Sequence, residues 1–319
     1  MPYTSTVLVT GASTGLGYAA AVQIATSHPE LQIVVCSRST PDTADKINAA
    51  TGRSNVVWLK LDLSSHANTR AFVKDYRSRN FPPISAMLLN AALQVTNKPV
   101  RSPDGLELMF AITHVNHALL FFLLKDQLTP DANIAITASS THDPAYRSPG
   151  PPTYTDAESA AHPDDSTLKT WGHGLSRYAN SKLANVLWAY ALSERAKVQG
   201  KKWTVTSMNP GVMATQLYRS ATGMVGWALN VGLRIPGMSY LLGETVWTPD
   251  QSGELLVNLG VNWKGPDFSG KYYDINSKQS NHEYPSSSAS HDKALQKDLW
   301  DWTIKEIAEG NEAGAWETL

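Results

Sequence analysis

Cysteine is nearly absent from this chain, and so is any excess of charge. One cysteine, Cys36, occurs in 319 residues. A single thiol excludes an intramolecular disulfide framework and fits a reducing compartment, and its place in an apolar run suggests packing rather than chemistry. Lys and Arg number 27 against 28 Asp and Glu, for a net charge of −1. Neither the basic footprint of a nucleic-acid binder nor an acidic tail is present, so no nucleic-acid partner is expected. No uninterrupted run of about 18 apolar residues occurs. The first β-like run begins within about six residues of Met1, which leaves no room for a charged leader and an apolar core. Neither a membrane span nor an export signal is expected, and a cytoplasmic location is the default. No repeat with a period of about 20 to 50 residues is visible, no linker divides the chain, and no metal site is expected. Apolar residues, by contrast, make up 42% of the sequence, enough at this length to bury a full core.

That apolar content is ordered into alternating short β runs and helical patterns. The β runs are Thr6 to Val9, Leu31 to Cys36, Val56 to Lys60, Ile84 to Leu89, Asn133 to Thr137, Thr204 to Met208 and Lys271 to Ile275. Between them lie Tyr18 to Ala25, Asp42 to Ala50, Ala67 to Arg77, a long pattern opened by Asp104-Gly105, Ser176 to Lys197, and finally Ala289 to Ala308. This alternation predicts an α/β fold: one Rossmann-type, doubly wound parallel sheet of about seven strands with helices on both faces. Residues 1–308 form one domain in this reading. A Pro- and Gly-rich insertion at 141–175 is either a lid or an ordered excursion, 212–248 is a substrate-loop segment, and 309–319 is a frayed tail.

The first βα turn carries Gly11, Ser13, Thr14, Gly15, Leu16 and Gly17. Glycines at a strand-to-helix turn let backbone N–H groups and the positive end of a helix dipole approach a pyrophosphate. The spacing is G-x-x-x-G-x-G rather than G-x-G-x-x-G. The second strand ends in Ser37-Arg38 with no acidic residue. A carboxylate there would repel a 2′-phosphate, whereas Arg38 offers it a donor fork, helped by Ser37 and Ser13. NADPH is therefore favoured over NADH, against the plainer reading of a solvated arginine. Asp62-Leu63 closes the third strand, where a carboxylate could accept from an adenine amino group or cap the helix that begins near Ser65. Asn90-Ala91-Ala92 closes the fourth, with small side chains that let a cofactor lie against backbone. Asn116 is a polar amide among apolar helical positions, read from the helix alone as a satisfied core residue; His114 and His117 beside it read as packing or solvent-facing. The fifth strand ends in Ser139-Ser140-Thr141-His142, and Tyr178 and Lys182 share one helix face at i and i+4. Asn209-Pro210-Gly211 ends the sixth strand.

Taken in order, these pieces resemble the short-chain dehydrogenase/reductase family over nearly the whole chain. The resemblance implies a catalytic set of Ser140, Tyr178 and Lys182, with Asn116 completing a proton relay. Ser140 is chosen over Ser139 because the family's catalytic serine is the second of such a pair. It also implies that Lys182 binds the nicotinamide ribose, that Tyr178 contacts the cofactor, and that Pro210, Gly211, Val212 and Thr215 meet the nicotinamide end of NADP(H). Ser140 and Tyr178 lie 38 positions apart (178 − 140), more than is usual in the family, which resembles the retinol dehydrogenase and protochlorophyllide reductase branches. Light-driven members of the latter carry a cysteine where this chain has Ala184, so photochemistry is not expected. Met213, Leu217, Tyr218, Met224, Trp227, Leu233 and Trp247 would wall a pocket for a bulky hydrophobic ketone or aldehyde, or the corresponding alcohol. An isomerase or cyclase that uses NADP only to shape the pocket is the alternative. Peripheral membrane contact through Gly223 to Leu242 is a lesser option, because the segment lacks a basic face. A homo-oligomer is common in the family, although the insertion could obstruct its usual helical interface. Trp171, His173 and His142 lie near catalytic positions in sequence, with a surface role expected for each.

Overall fold

The computed structural model describes residues 3–95, 99–146, 148–164, 171–213, 245–317 and 319. Seven parallel strands form one sheet: β1 (Ser5–Thr10), β2 (Leu31–Ser37), β3 (Val56–Lys60), β4 (Ile84–Leu89), β5 (Leu128–Thr137), β6 (Thr204–Asn209) and β7 (Lys271–Asp274). Their order is β3-β2-β1-β4-β5-β6-β7. A parallel sheet must be covered on both faces, and the period-two alternation of apolar residues shows how. Leu8, Val34, Cys36, Met87 and Ile134 enter one core. Their neighbours Val7, Val9, Ile33, Val35 and Ala135 enter the other. Cys36 is fully buried, which pushes its thiol pKa well up and leaves it a packing residue.

On the second face lie α1 (Gly15–Ser27), α2 (Thr43–Thr51) and α8 (Pro249–Val257). The first face is covered by α3 (His66–Ser78), α4 (Leu108–Phe110) running through a π-helical turn (Ala111–Val115) into α5 (Asn116–Leu124), α6 (Ala157–Ala161) and α7 (Trp171–Val198), together with α9 (Lys293–Ile307). The stretch Leu108–Gln127 is long and apolar enough to cross a membrane by length and composition, but most of it is buried inside the protein. The sheet order reverses direction between β1 and β4, so the crevice at the carboxyl ends of these strands is the place where such a fold binds ligands.

One expectation changes here, and one open alternative is decided for the described residues. The tail does not fray along its described length: α10 (Glu312–Glu317) docks, with Trp316 stacked on Phe122 at 5.1 Å and Arg70 bonded to both carboxylate oxygens of Glu312. A buried indole supplies an anchor that the polar composition of the tail hides. The described part of the insertion is an ordered excursion. Asp156 caps α6, Ala157 N–H donates to Asp298 at 2.8 Å, the indole of Trp302 donates to Glu158, and Thr153 N–H donates to Asn180 of α7 at 2.7 Å. Gly150 seats it, because a Cβ there would lie 2.4 Å from the Gly172 carbonyl oxygen and 2.7 Å from Ser176 N. Gly150→Ala is therefore expected to destabilise the protein by about 1–3 kcal/mol. Urea unfolding checks this; an unchanged midpoint would mean that the excursion is not held against α7.

Candidate active site

A cavity of ≈ 460 Å³ opens at the carboxyl ends of the strands. Its wall takes Gly11, Ser13, Thr14, Gly15 and Leu16 after β1, Arg38 after β2, Asn90, Ala91 and Ala92 after β4, Thr137 and Ala138 at the end of β5, and Pro210 after β6. Tyr178 and Lys182 of α7 close its inner side, and Leu93, Gln94, Val95, Leu108 and Met213 complete it. The sequence reading named most of the first group and missed Leu93, Gln94, Val95 and Leu108, which carry no motif.

The glycine loop is pressed against the end of β4. Gly11 has φ 67°, a left-handed conformation, and a Cβ there would lie 2.8 Å from Ala91 Cα. A Cβ on Gly17 would lie 2.7 Å from the Gly11 carbonyl oxygen. Gly17 thus closes the turn from behind and does not line the cavity. Thr14, the N-cap residue of α1, makes no side-chain capping bond, and the first turn of α1 holds no acidic residue. The N–H groups of that turn therefore suit an anion, in the way a pyrophosphate requires. Among the described residues no carboxylate lines the cavity, and its cationic side chains are Arg38 and Lys182. Arg38 is exposed and has no ion pair among the described residues. These features fit a dinucleotide with an anionic pyrophosphate and a further phosphate near Arg38.

Thr10 organises the floor. Its hydroxyl oxygen accepts the N–H groups of Asn90 at 2.8 Å and Ala91 at 3.0 Å, and the Asn90 side chain donates back to Thr10 O. His117 completes the set. Its Nδ1 lies 3.0 Å from Thr113 O and its Nε2 lies 2.9 Å from Thr10 Oγ1. A carbonyl only accepts, so Nδ1 carries the proton and Nε2 accepts the Thr10 O–H. Burial, opposed by the Thr113 bond and aided by nearby Lys182, pushes the His117 pKa down to about 4. The packing role expected for this histidine is thus joined to a tether on the cavity floor. His114 stays in the core between Phe110 and Trp188.

Several expected site residues lie elsewhere. Ser37 is buried and its hydroxyl accepts the Trp58 indole N–H at 2.8 Å, because β3 places that tryptophan beside the end of β2. Asp62 accepts Ser64 N–H, while Ser65 is the residue that caps α3. Leu63 is buried in the core. Asn116 follows the π turn, and its side chain accepts from Thr69 of α3 at 3.2 Å and donates to Ala111 O. It is the satisfied core amide that the helix pattern suggests, with its side chain outside the cavity. Gly211 and Val212 lie beside the cavity wall in the chain without lining it. Thr215 and the pocket-wall residues Leu217, Tyr218, Met224, Trp227 and Leu233 lie outside the described residues, as does Gly223 to Leu242. His173 is exposed, as expected, whereas His142 is buried.

Lys182 is 1% exposed, donates to Thr137 O at 2.9 Å, and stands 5.6 Å from the Tyr178 ring centre. Burial pushes its pKa down to about 7. The turn Ser140–His142 packs on α7, half-buried at both serines and just beyond the cavity wall. Ser139 Oγ accepts from Thr141 N and Thr141 Oγ1, whereas Ser140 Oγ has no hydrogen-bond partner among the described residues.

Behind the wall formed by Val95 and Leu108 lies a buried ion pair that the sequence reading missed. Glu107 and Arg177 are 2% and 4% exposed, with Nε and Oε1 3.4 Å apart. The contact is ionic but too poorly aligned to be a hydrogen bond, since Nε and Nη1 of Arg177 have no acceptor. Arg177 also donates to Val95 O, and Glu107 caps Phe110 N–H. Burial pushes the Glu107 carboxyl up to about 7, with the Phe110 N–H and Arg177 pulling it back. A pKa raised on folding stabilises most at low pH, and that contribution is lost as pH rises from about 4.5 through about 7. The stability of the wild type relative to E107Q is thus expected to fall by on the order of 2–3 kcal/mol between pH 5 and pH 8. Urea unfolding at both pH values tests it, and a pH-independent difference would rule it out.

Comparison with known proteins agrees with this arrangement. Residues 5–130 match the family model for short chain dehydrogenases. Human retinol dehydrogenase 13 is 30% identical over 282 residues, covering 84% of this chain and 76% of that protein. The chain belongs to the short-chain dehydrogenase/reductase family. It is an oxidoreductase of that family, in the branch of the retinol dehydrogenase and TIC 32 relatives. The chloroplastic short-chain dehydrogenase TIC 32 A of Brassica napus is 28% identical over 94% of this chain and 88% of its own length. Human polyprenol dehydrogenase is 27% identical over 92% and 82%. Among solved structures, a Shigella flexneri short chain dehydrogenase complexed with NADP superposes with a TM-score of 0.59 at 22% identity, covering 86% of this chain and 98% of that one. At that identity the likeness shows the fold.

Proposed function

We propose that this short-chain dehydrogenase is an NADP(H)-dependent carbonyl reductase, or works in the reverse alcohol-oxidising direction, on a bulky hydrophobic substrate. The observation that carries the reading is that Tyr178 and Lys182 share one cavity with the glycine loop and with Arg38, which has no ion pair among the described residues. Arg38 would hold the 2′-phosphate, the first turn of α1 the pyrophosphate, and Lys182 the nicotinamide ribose. When bound, the nicotinamide supplies the hydride or accepts it. In the reducing direction Tyr178 gives its phenolic proton to the carbonyl oxygen, and the Ser140 hydroxyl donates a hydrogen bond to that oxygen as charge develops on it. A charged Lys182 beside the phenol favours phenolate and so brings Tyr178 toward its working range. Leu93, Val95, Leu108 and Met213 give the substrate end apolar walls. The hydrophobic alcohols in the names of the retinol and polyprenol dehydrogenases support that substrate class.

The test follows NADPH absorbance with a panel of hydrophobic carbonyls that includes a retinal-type polyene aldehyde and a diaryl ketone. NADPH oxidation matched mole for mole by alcohol product is expected. A product formed with no net NADPH oxidation would instead support a non-redox isomerase or cyclase.

A further inference from the structure

We propose that His142 is the positioning residue for Ser140, and that it couples the serine turn to α7, the helix that carries Tyr178. This rests on the reading of Ser140 given above.

His142 is 1% exposed, and both ring nitrogens are engaged. Nδ1 lies 2.7 Å from Ser139 O, and Nε2 lies 3.1 Å from Ser287 N. The carbonyl only accepts and the backbone N–H only donates. Nδ1 therefore carries a proton and Nε2 carries none, so the ring is neutral and held in a single tautomer. Its face packs on Tyr272 of β7, with ring centres 4.8 Å apart.

The chain leaves β5 at this point, and the ring pins the departing turn to a segment 145 residues further along the chain. Within the turn the other polar groups are used to hold it. Ser139 Oγ takes Thr141, Ser139 O takes His142, and Ser140 O takes Asp143 N–H. The Ser140 hydroxyl is left over, on a backbone that cannot easily shift. Ser287 is fixed in turn, because its carbonyl accepts Ser290 Oγ at 2.6 Å. Ser290 Oγ meets Ser286 Oγ, and Ser286 Oγ meets Tyr190 OH of α7, each at 2.7 Å. The chain of contacts from Ser140 through His142 to Tyr190 thus ends on the Tyr178 helix.

Protonating Nε2 would turn a donor toward the Ser287 N–H and break the link. Burial keeps the His142 pKa below the ordinary histidine range, helped by His291 and opposed by the Ser139 bond, Asp143 and Asp274. Tyr272, which forms the ring's other wall, is itself held neutral by burial.

Two measurements test this. In ¹⁵N-imidazole-labelled protein at about pH 7.5, NMR should show His142 as the neutral Nδ1–H tautomer; the other tautomer, or titration within or above the ordinary histidine range, overturns the proposal. In the second, NADPH oxidation is followed with all-trans-retinal as the probe. His142→Leu should lower kcat about tenfold to a hundredfold with KM for NADPH within about twofold. His142→Asn, whose amide can restore the donor to Ser139 O, should recover part of the loss. In a Ser140→Ala background His142→Leu should cost nothing further, since it acts through a hydroxyl already removed. Multiplying effects would mean that His142 merely supports the fold and would overturn the proposal. If Ser140→Ala alone leaves kcat unchanged, the catalytic reading of Ser140 falls and the positioning role falls with it. If retinal is not turned over, that bears on the substrate reading, and the tautomer measurement still decides for His142.

Discussion

Tyr178→Phe is expected to lower kcat for NADPH-dependent carbonyl reduction by about 10²- to 10⁴-fold, the range that general acid catalysis contributes. The substitution removes one hydroxyl and leaves the ring, so the packing of a side chain that is 6% exposed should survive. The Lys182 ammonium keeps its bond to Thr137 O and its place 5.6 Å from the ring centre. NADPH affinity should therefore change only a few-fold, since on the proposed reading the phosphates and ribose would be held by the glycine loop, Arg38 and Lys182. Steady-state kinetics paired with NADPH fluorescence titration separates the two effects. Undiminished turnover in the variant would exclude Tyr178 as the proton donor. Loss of cofactor binding in step with activity would show that the phenol supports the site rather than the chemistry.

The second large effect concerns cofactor choice. Arg38→Ala should weaken NADPH binding about tenfold to a hundredfold and leave NADH almost unaffected. A hydrogen bond to a charged group contributes about 1.5–3 kcal/mol, and solvent screening of this exposed side chain places the effect toward the lower end. The proposed wild-type preference for NADPH should shrink as salt rises, while that of the variant should not. Dissociation constants for both cofactors at two ionic strengths give the answer, and an equal loss for NADPH and NADH would remove the 2′-phosphate assignment. The absence of help matters here: Ser37, expected beside Arg38, is turned away to Trp58. On the proposed reading the discrimination would fall to Arg38, with Ser13 lining the same cavity.

Much of the site was readable because it is local. A strand, a glycine turn and a helix within Ser5–Ser27 specify the loop, and i, i+4 spacing alone puts Tyr178 and Lys182 on one face. The alternation of apolar β runs with helical patterns specified the parallel sheet with helices on both faces. In sequence only the family resemblance separates Ser140 from Ser139, and the fold adds a physical reason, since the Ser139 hydroxyl caps its own turn. Asp62 failed as a cap because Ser65, three residues on, meets the helix start at the proper register.

What sequence could not supply were partners distant along the chain. His142 reads as one more polar residue in a loop, and its meaning comes from Ser287, 145 residues away. His117 depends on Thr10, 107 residues away. Glu107 and Arg177 become a buried pair only when α7 is laid over the start of α4. The docked tail likewise depends on Phe122 and Arg70. By itself the sequence determined the sheet, the glycine loop and the Tyr178–Lys182 pair, because hydrophobic period and helical spacing act over a few residues. Only the tertiary structure decided which polar groups are left free for chemistry and which are tied down. A buried donor or acceptor must be satisfied by whatever the folded chain brings beside it.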